Sequence, residues 1–243
     1  MKNIVIAAGY ATRLYPLTEN FPKPLLKVGS STILDRLIDD TDKISDIDEH
    51  IIISNHKFAQ HFKDWAATRH DSKPIRIIDD GTTTNEGRLG AVKDLLLALE
   101  ECKVDDDIMV LAADNILNFS LQEFVDFFKQ KQASVIMCHN EPELKKLQRT
   151  GVVKLDDNNK VLLMQEKPEQ PVSNWAVPPF YIYKRSDLPL IRDCMNHGCG
   201  FDAPGNLAHY LTEVTTIYAW PMSGTRYDIG SMDSYEKAQE IYK

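Results

Sequence analysis

Short apolar runs separated by stretches of helical period predict an α/β fold: a doubly wound, mostly parallel (mixed) sheet with helices on both faces. Two observations carry this. The chain opens on an apolar run, residues 2–8, and further runs follow near 50, 75, 107 and 133, each after an amphipathic segment. These runs are nearly continuous in Ile, Val and Leu, as strands buried on both faces are.

After the first strand and a long loop, Ser31 or Thr32 can cap a helix over 33–38. A buried strand at 50–54 leads through Asn55 into a helix carrying Phe58, Phe62 and Trp65. A third strand is expected at 75–78, then a threonine-rich loop at 81–87 and a helix from about 90 to 100. The fourth strand, 107–112, ends at Ala113-Asp114-Asn115. Ser120 and Glu123 form a capping box for a helix through Phe128, and 133–138 is the fifth strand. The second half is less regular. A hairpin is expected from 151–154 and 161–164, then a strand over 177–183 that crosses Pro178 and Pro179. Helices at 187–195 and 205–211, a strand at 214–220 and a helix capped by Ser231 complete the chain. No repeat, low-complexity run or long linker interrupts it, so a single domain over 1–243 is expected.

A net charge of −8 argues against a nucleic-acid partner. Cys102, Cys138, Cys194 and Cys199 are too sparse for a disulfide scaffold, and the 194–199 stretch lacks the paired C-x-x-C arms of structural zinc. No apolar run reaches the length of a membrane span. A strand begins by Asn3, so no secretory leader is expected and the expected location is cytoplasmic. The histidines are scattered and form no nucleophile triad.

The first strand runs into Ala8-Gly9-Tyr10-Ala11-Thr12-Arg13-Leu14, and Phe21-Pro22-Lys23-Pro24 follows. A small-residue turn at the carboxyl end of a first strand is where open α/β sheets hold nucleotides. Small side chains let backbone N–H groups approach phosphate oxygens, and Arg13 and Lys23 can add positive charge. A dinucleotide fingerprint needs two more glycines than Gly9 supplies, and no G-x-x-x-x-G-K-[ST] run exists.

The opening stretch instead resembles the G-x-G-x-R-L-x-P-L-T and K-P signature of the sugar-1-phosphate nucleotidylyltransferases, with Ala11 where many members carry glycine. Further blocks resemble that family in order. Ala113-Asp114-Asn115 is similar to its G-D-N, Thr150-Gly151-Val152 to its Y-G-V and Glu166-Lys167-Pro168 to its E-K-P. Asn174-Trp175-Ala176 is similar to its N-x-G, and Arg226-Tyr227-Asp228-Ile229-Gly230-Ser231 to its W-x-D-x-G-T. The resemblance implies a Rossmann-like sheet of the nucleotide-diphospho-sugar transferase type. It implies that an NTP and a sugar 1-phosphate give an NDP-sugar and pyrophosphate by in-line attack on the α-phosphorus.

It also implies roles. Arg13, Lys23, Asp114, Lys167 and Asp228 would be catalytic, with Asp114 and Asp228 holding Mg²⁺. Ala8, Gly9, Tyr10, Ala11, Thr12, Arg13 and Lys23 would bind the nucleotide, together with Asn85, Gly87, Arg88 and Gly90 of a base-reading loop. That loop lacks a Gln-Pro start; a pyrimidine, UTP or dTTP, is favoured and CTP stays open. Asn115, Gly151, Glu166, Lys167 and Asn174 would bind the acceptor. Residues 1–140 would then be mainly the nucleotide half and 141–243 mainly the acceptor half, without the C-terminal β-helix of many relatives. Nothing in the sequence sets an oligomeric state.

Two other readings remain open at this level. One is a CTP-dependent cytidylyltransferase acting on a non-sugar phosphate such as phosphocholine, with Trp175, Tyr181, Tyr183 and Trp220 as an aromatic cage. The other is a non-catalytic regulatory relative that binds nucleotide sugar. Such a relative is expected to have lost the charged residues that this chain keeps.

Overall fold

The computed structural model describes residues 1–243 throughout. Strand β1 (Lys2–Ile6) leads into a loop with two short 3₁₀ turns, then β2 (Lys27–Val28) and β3 (Ser31–Thr32). Helix α1 (Ile33–Thr41) starts where Thr32 and Asp35 close a capping box. Strand β4 (Glu49–Ser54) is buried at every residue, and Asn55 caps α2 (His56–Ala67) through the Phe58 N–H. Next come β5 (Ile75–Asp79), α3 (Ala91–Glu101), β6 (Ile108–Ala112), β7 (Asn115–Leu117), α4 (Gln122–Lys131) and β8 (Ser134–Asn140). A single turn, α5 (Leu144–Leu147), precedes the hairpin of β9 (Gly151–Leu155) and β10 (Val161–Glu166). The chain ends with β11 (Trp175–Val177), β12 (Phe180–Tyr183), α6 (Leu188–Asp193), α7 (Pro204–Val214), β13 (Ile217–Pro221), β14 (Arg226–Asp228) and α8 (Met232–Ile241).

The chain divides into two compact units. The first comprises residues 1–89, 112–121 and 224–243; the second comprises 90–111 and 122–223. In the first unit β1, β4 and β5 are parallel neighbours, Lys2 opposite Glu49 and His50 opposite Ile75. Val5 and Ile52 from these strands pack against Leu34 and Ile38 of α1 and Phe58 and Phe62 of α2. Fully burying one such side chain stabilises by roughly 1.5–3 kcal/mol. A second core in the same unit joins Leu14, Val28, Ile33, Ile116, Ile229 and Ala238. It fixes the antiparallel ribbon β7–β14, in which Asp228 lies opposite Asn115. Helix α8 locks the β2–β3 turn, since Tyr235 and Gln239 both donate to the Lys27 carbonyl.

In the second unit the order is β10-β9-β11-β8-β12-β6, antiparallel at each step, with β13 added in parallel to β8. The fold is therefore α/β with a mixed sheet, parallel through β1, β4 and β5 in the first unit and antiparallel in the second except for β13. Helix α7 lies against β10.

Three expectations need correction. The strand expected over 177–183 breaks into β11 and β12 at Pro178 and Pro179, which have no N–H for the ladder. The strand expected from 214 begins at Ile217, because Val214 still closes α7. The segment 226–228, given no element in the sequence analysis, is a strand, paired with a β7 that was not anticipated.

Candidate active site

The opening loop is tied down where it leaves β1. The Ala7 N–H donates to the Ile53 carbonyl, and the Asn55 amide donates to the Ala8 carbonyl. A Cβ at Gly9 would meet only open space, whereas Ala11 sits in the left-handed region at φ 48°. That conformation costs an alanine about 1–2 kcal/mol, and the buried Thr18 hydroxyl helps hold it by donating to the Ala11 carbonyl. Thr12 and Arg13 are exposed on the 3₁₀ turn that follows. Tyr10 is buried, with its hydroxyl 3.3 Å from that of Thr82. In the loop after β5, the Gly87 N–H turns back to Thr84, and Arg88 donates through Nη1 to the Asn85 carbonyl at 2.9 Å.

Gly90 has a separate structural task. It caps α3 at φ 91°, where a Cβ would collide with the Phe201 backbone. The Ala91 and Val92 N–H groups donate to the carbonyls of Asp202 and Phe201.

Charge gathers at the end of β6. Lys23 Nζ donates to Asp114 Oδ2 at 2.8 Å, with the lysine side chain 13% and the aspartate 34% exposed. Burial works against the charged form of Asp114, yet the charge and hydrogen bond of Lys23, with Arg226 beside it, hold its carboxyl below the usual range. Asn115 is fully buried. Its amide donates to Asp114 Oδ1 at 2.7 Å, and its oxygen accepts from Arg226 Nη1. The same Nη1 lies 3.4 Å from Asp228 Oδ2. Asp228 is 55% exposed, while Tyr227 and Ile229, which flank it, pack into the core. The Ile229 N–H donates to the Asp114 carbonyl at 2.9 Å, which holds the two aspartates' backbones together.

No group of three or more His, Cys, Asp and Glu side chains is arranged to hold a metal ion. Two carboxylates nevertheless fit Mg²⁺, a hard ion that keeps several waters and takes one or two protein carboxylates beside substrate phosphates. Asp114 and Asp228 supply that donor set, and their cationic partners show that this corner attracts positive charge.

The second unit holds the acceptor-side candidates. Glu166 ends β10 opposite Gly151. Its carboxylate lies over two glycines: a Cβ at Gly205, in the first turn of α7, would collide with it, and one at Gly151 would crowd it at 3.2 Å. Glu166 Oε2 is buried without a hydrogen-bond partner. Burial pushes its carboxyl up, and Lys167, 4.0 Å away, offsets this in part. Lys167 is exposed and left-handed at φ 48°, with its N–H donating to the Thr150 carbonyl. Asn174 is exposed, and its carbonyl accepts from the Glu141 N–H.

The structure therefore brings Lys23, Asp114, Asn115 and Asp228 together in one unit, and Gly151, Glu166 and Lys167 in the other. Asn115, expected beside the acceptor, is occupied with Asp114 and Arg226. Arg226 was passed over in the sequence because the resembling motif has Trp at that place; its signal was the i, i+2 spacing to Asp228 in a strand. Gly205 was missed although Pro204 marks a helix start. The aromatic cage does not form. Tyr181 and Tyr183 are buried and stacked at 5.6 Å, and Trp220 stacks on Phe124.

The sequence model of the nucleotidyl transferase family matches residues 2–243. The chain belongs to that family. It is 27% identical to the UTP–glucose-1-phosphate uridylyltransferase AglF of Haloferax volcanii, over 99% of this chain and 96% of that one. It is 28% identical to a glucose-1-phosphate adenylyltransferase of Fervidobacterium nodosum, over 97% of this chain but 60% of that one. A solved structure of UDP-glucose pyrophosphorylase complexed with UDP-glucose superimposes with a TM-score of 0.85 at 19% identity, covering 99% of this chain and 97% of that one. The last likeness shows the fold. No helix of the nucleotidyltransferase is long and apolar enough to cross a membrane.

Proposed function

We propose that this nucleotidyltransferase joins an NTP, with a pyrimidine base, to a sugar 1-phosphate, giving an NDP-sugar and pyrophosphate. The observation that carries the reading is the Lys23–Asp114 contact at 2.8 Å beside Arg226 and Asp228, at the end of a strand where an α/β sheet binds phosphates. Mg²⁺, held by Asp114 and Asp228, supplies charge stabilisation to the phosphates when bound. The chain's own residues do the positioning. The backbone at 8–12 receives the triphosphate, and Arg13 and Lys23 offset its negative charge. Asn115 keeps Asp114 oriented through its amide. On the acceptor side, Lys167 takes the phosphate and Glu166 a sugar hydroxyl. An acceptor phosphate oxygen attacks the α-phosphorus in line as the bond to pyrophosphate breaks, so no covalent enzyme intermediate is needed.

The buried Glu166 carboxylate has an unpaired oxygen, which offers a hydroxyl of the acceptor a hydrogen-bond partner. Kept cations at Arg13, Lys23, Lys167 and Arg226 favour turnover over a regulatory role. The single-domain organisation, with nucleotide chemistry mainly from 1–140 and acceptor contacts mainly from 141–243, belongs to the same reading, as does a cytoplasmic location beside the nucleotide pool. The test is pyrophosphate release from a matrix of UTP, dTTP, CTP and ATP against glucose 1-phosphate and phosphocholine. Release with UTP or dTTP and glucose 1-phosphate is expected. Release with phosphocholine alone would reject the sugar acceptor, and none with any pair would reject catalysis.

A further inference from the structure

Arg226 stands where the proposed metal carboxylates meet, and neither the family reading nor the sequence motif assigns it a task. It projects from β14 on the same face as Asp228, two residues away. Its Nη1 donates to Asn115 Oδ1 and lies 3.4 Å from Asp228 Oδ2. The side chain is only 16% exposed, and its Nε is buried without a partner. The guanidinium is thus fixed in the site by the ribbon.

Two carboxylates, Asp114 and Asp228, face two cations, Lys23 and Arg226, so this corner of the protein is charge-balanced by its own side chains. The two cations differ in kind. Lys23 is a point charge on a flexible stem and can move from Asp114 to a phosphate. Arg226 is planar, permanently charged and held by the buried Asn115.

We propose that Arg226 is a positioning residue that acts as a resident counter-cation: it keeps the carboxylate pair from capturing a divalent ion alone, so that the ion enters only with a polyphosphate. A divalent cation added to a balanced corner meets the Arg226 charge, which lies 3.4 Å from Asp228 Oδ2. A triphosphate or pyrophosphate brings the negative charge that makes the same entry favourable. This inference rests on Asp114 and Asp228 being the metal carboxylates.

The probe is Mn²⁺ alone, followed by electron paramagnetic resonance on the full chain, with and without pyrophosphate. Wild type is expected to bind Mn²⁺ weakly alone and tightly with pyrophosphate. Arg226→Gln can still donate to Asn115 but lacks the charge, and it should bind Mn²⁺ alone about tenfold more tightly. Arg226→Lys keeps the charge and should bind as weakly as wild type. A merely structural role predicts the opposite sign for Gln, weaker binding in a loosened site. A folded Arg226→Gln with wild-type or weaker Mn²⁺ affinity, or a Lys variant that matches Gln, overturns the proposal. Should Arg226→Gln fail to fold, the wild-type measurement still decides: equal Mn²⁺ affinity with and without pyrophosphate overturns it. Asp228→Asn separates the two levels. If it retains wild-type Mn²⁺ binding with pyrophosphate, the metal assignment itself falls, and this inference with it.

Discussion

At the scale of the residue, some functional candidates are held in environments that a free side chain would avoid, while Arg13, Lys167 and Asn174 stay exposed. Glu166 is the clearest, a carboxylate pressed on glycine with one oxygen unpaired. Its carboxyl is raised by burial, so the folded protein holds that proton more tightly than the unfolded chain does. With the folded value above the unfolded one, the site is at ease below the ordinary glutamate range and becomes a cost as pH rises through the raised value. Glu166→Gln is therefore expected to unfold at a higher temperature than wild type at pH 8, by about 2 °C or more, and to match it near pH 4. In the same variant the acceptor KM should rise, because an amide is a weaker acceptor of a sugar hydroxyl than a carboxylate. Thermal unfolding at the two pH values and acceptor titration check both halves. Equal melting differences at both pH values would mean that packing, not charge, sets the effect. The sequence made Glu166 visible as part of a motif but not its reason, because the reason lies in Gly205, 39 residues further along the chain and on another element.

At the scale of the element, local chemistry fixed what the sequence could reveal. Helix starts were legible where a capping side chain announces them: Thr32, Asn55 and Ser231 each accept from a backbone N–H in the first turn. Buried strands were legible from apolar runs. Three-residue strands such as β7 and β14 were not, since a run that short has no period to read. Helix α3 shows the limit best. Its start is held by a neighbouring chain segment, where the Phe201 and Asp202 carbonyls accept from its first N–H groups, and Gly90 provides the room. A methyl group there must both adopt a glycine-only conformation and displace backbone. Gly90→Ala is expected to destabilise by about 2 kcal/mol or more, against about 1 kcal/mol for loss of the α1 cap in Thr32→Ala. Urea midpoints of the two variants test the order. A Gly90→Ala protein as stable as Thr32→Ala would show that the 198–203 segment yields, and that Gly90 serves the nucleotide loop more than the helix.

At the scale of the whole molecule, an acidic chain of net charge −8 must bind two anionic substrates, so its few site cations have to be divided between them. In the proposed reading the division follows the two units. Lys23 and Arg226 belong to the first, with Asp114 and Asp228; Lys167 belongs to the second, with Glu166. Their settings differ as well. Lys23 is largely buried against a carboxylate, whereas Lys167 is exposed beside a carboxylate 4.0 Å away. A buried, hydrogen-bonded cation is kept beside the phosphate site before substrate arrives, and from there it can reach charge that develops at the α-phosphorus. An exposed cation mainly adds ground-state attraction for the partner that reaches it. Lys23→Ala should therefore lower kcat/KM for the NTP by about two to four orders of magnitude, much of it in kcat. It should also leave Asp114 without its ion-pair partner, so its melting temperature in chelator should fall and recover in part when Mg²⁺ and pyrophosphate are added together. Lys167→Ala should raise the acceptor KM while direct NTP binding stays within about twofold of wild type, as removal of uniform binding to one substrate does. Separate NTP and sugar 1-phosphate titrations of both variants decide the matter: an equal loss of NTP affinity in Lys167→Ala would place that lysine on the nucleotide and undo the division of labour between the units.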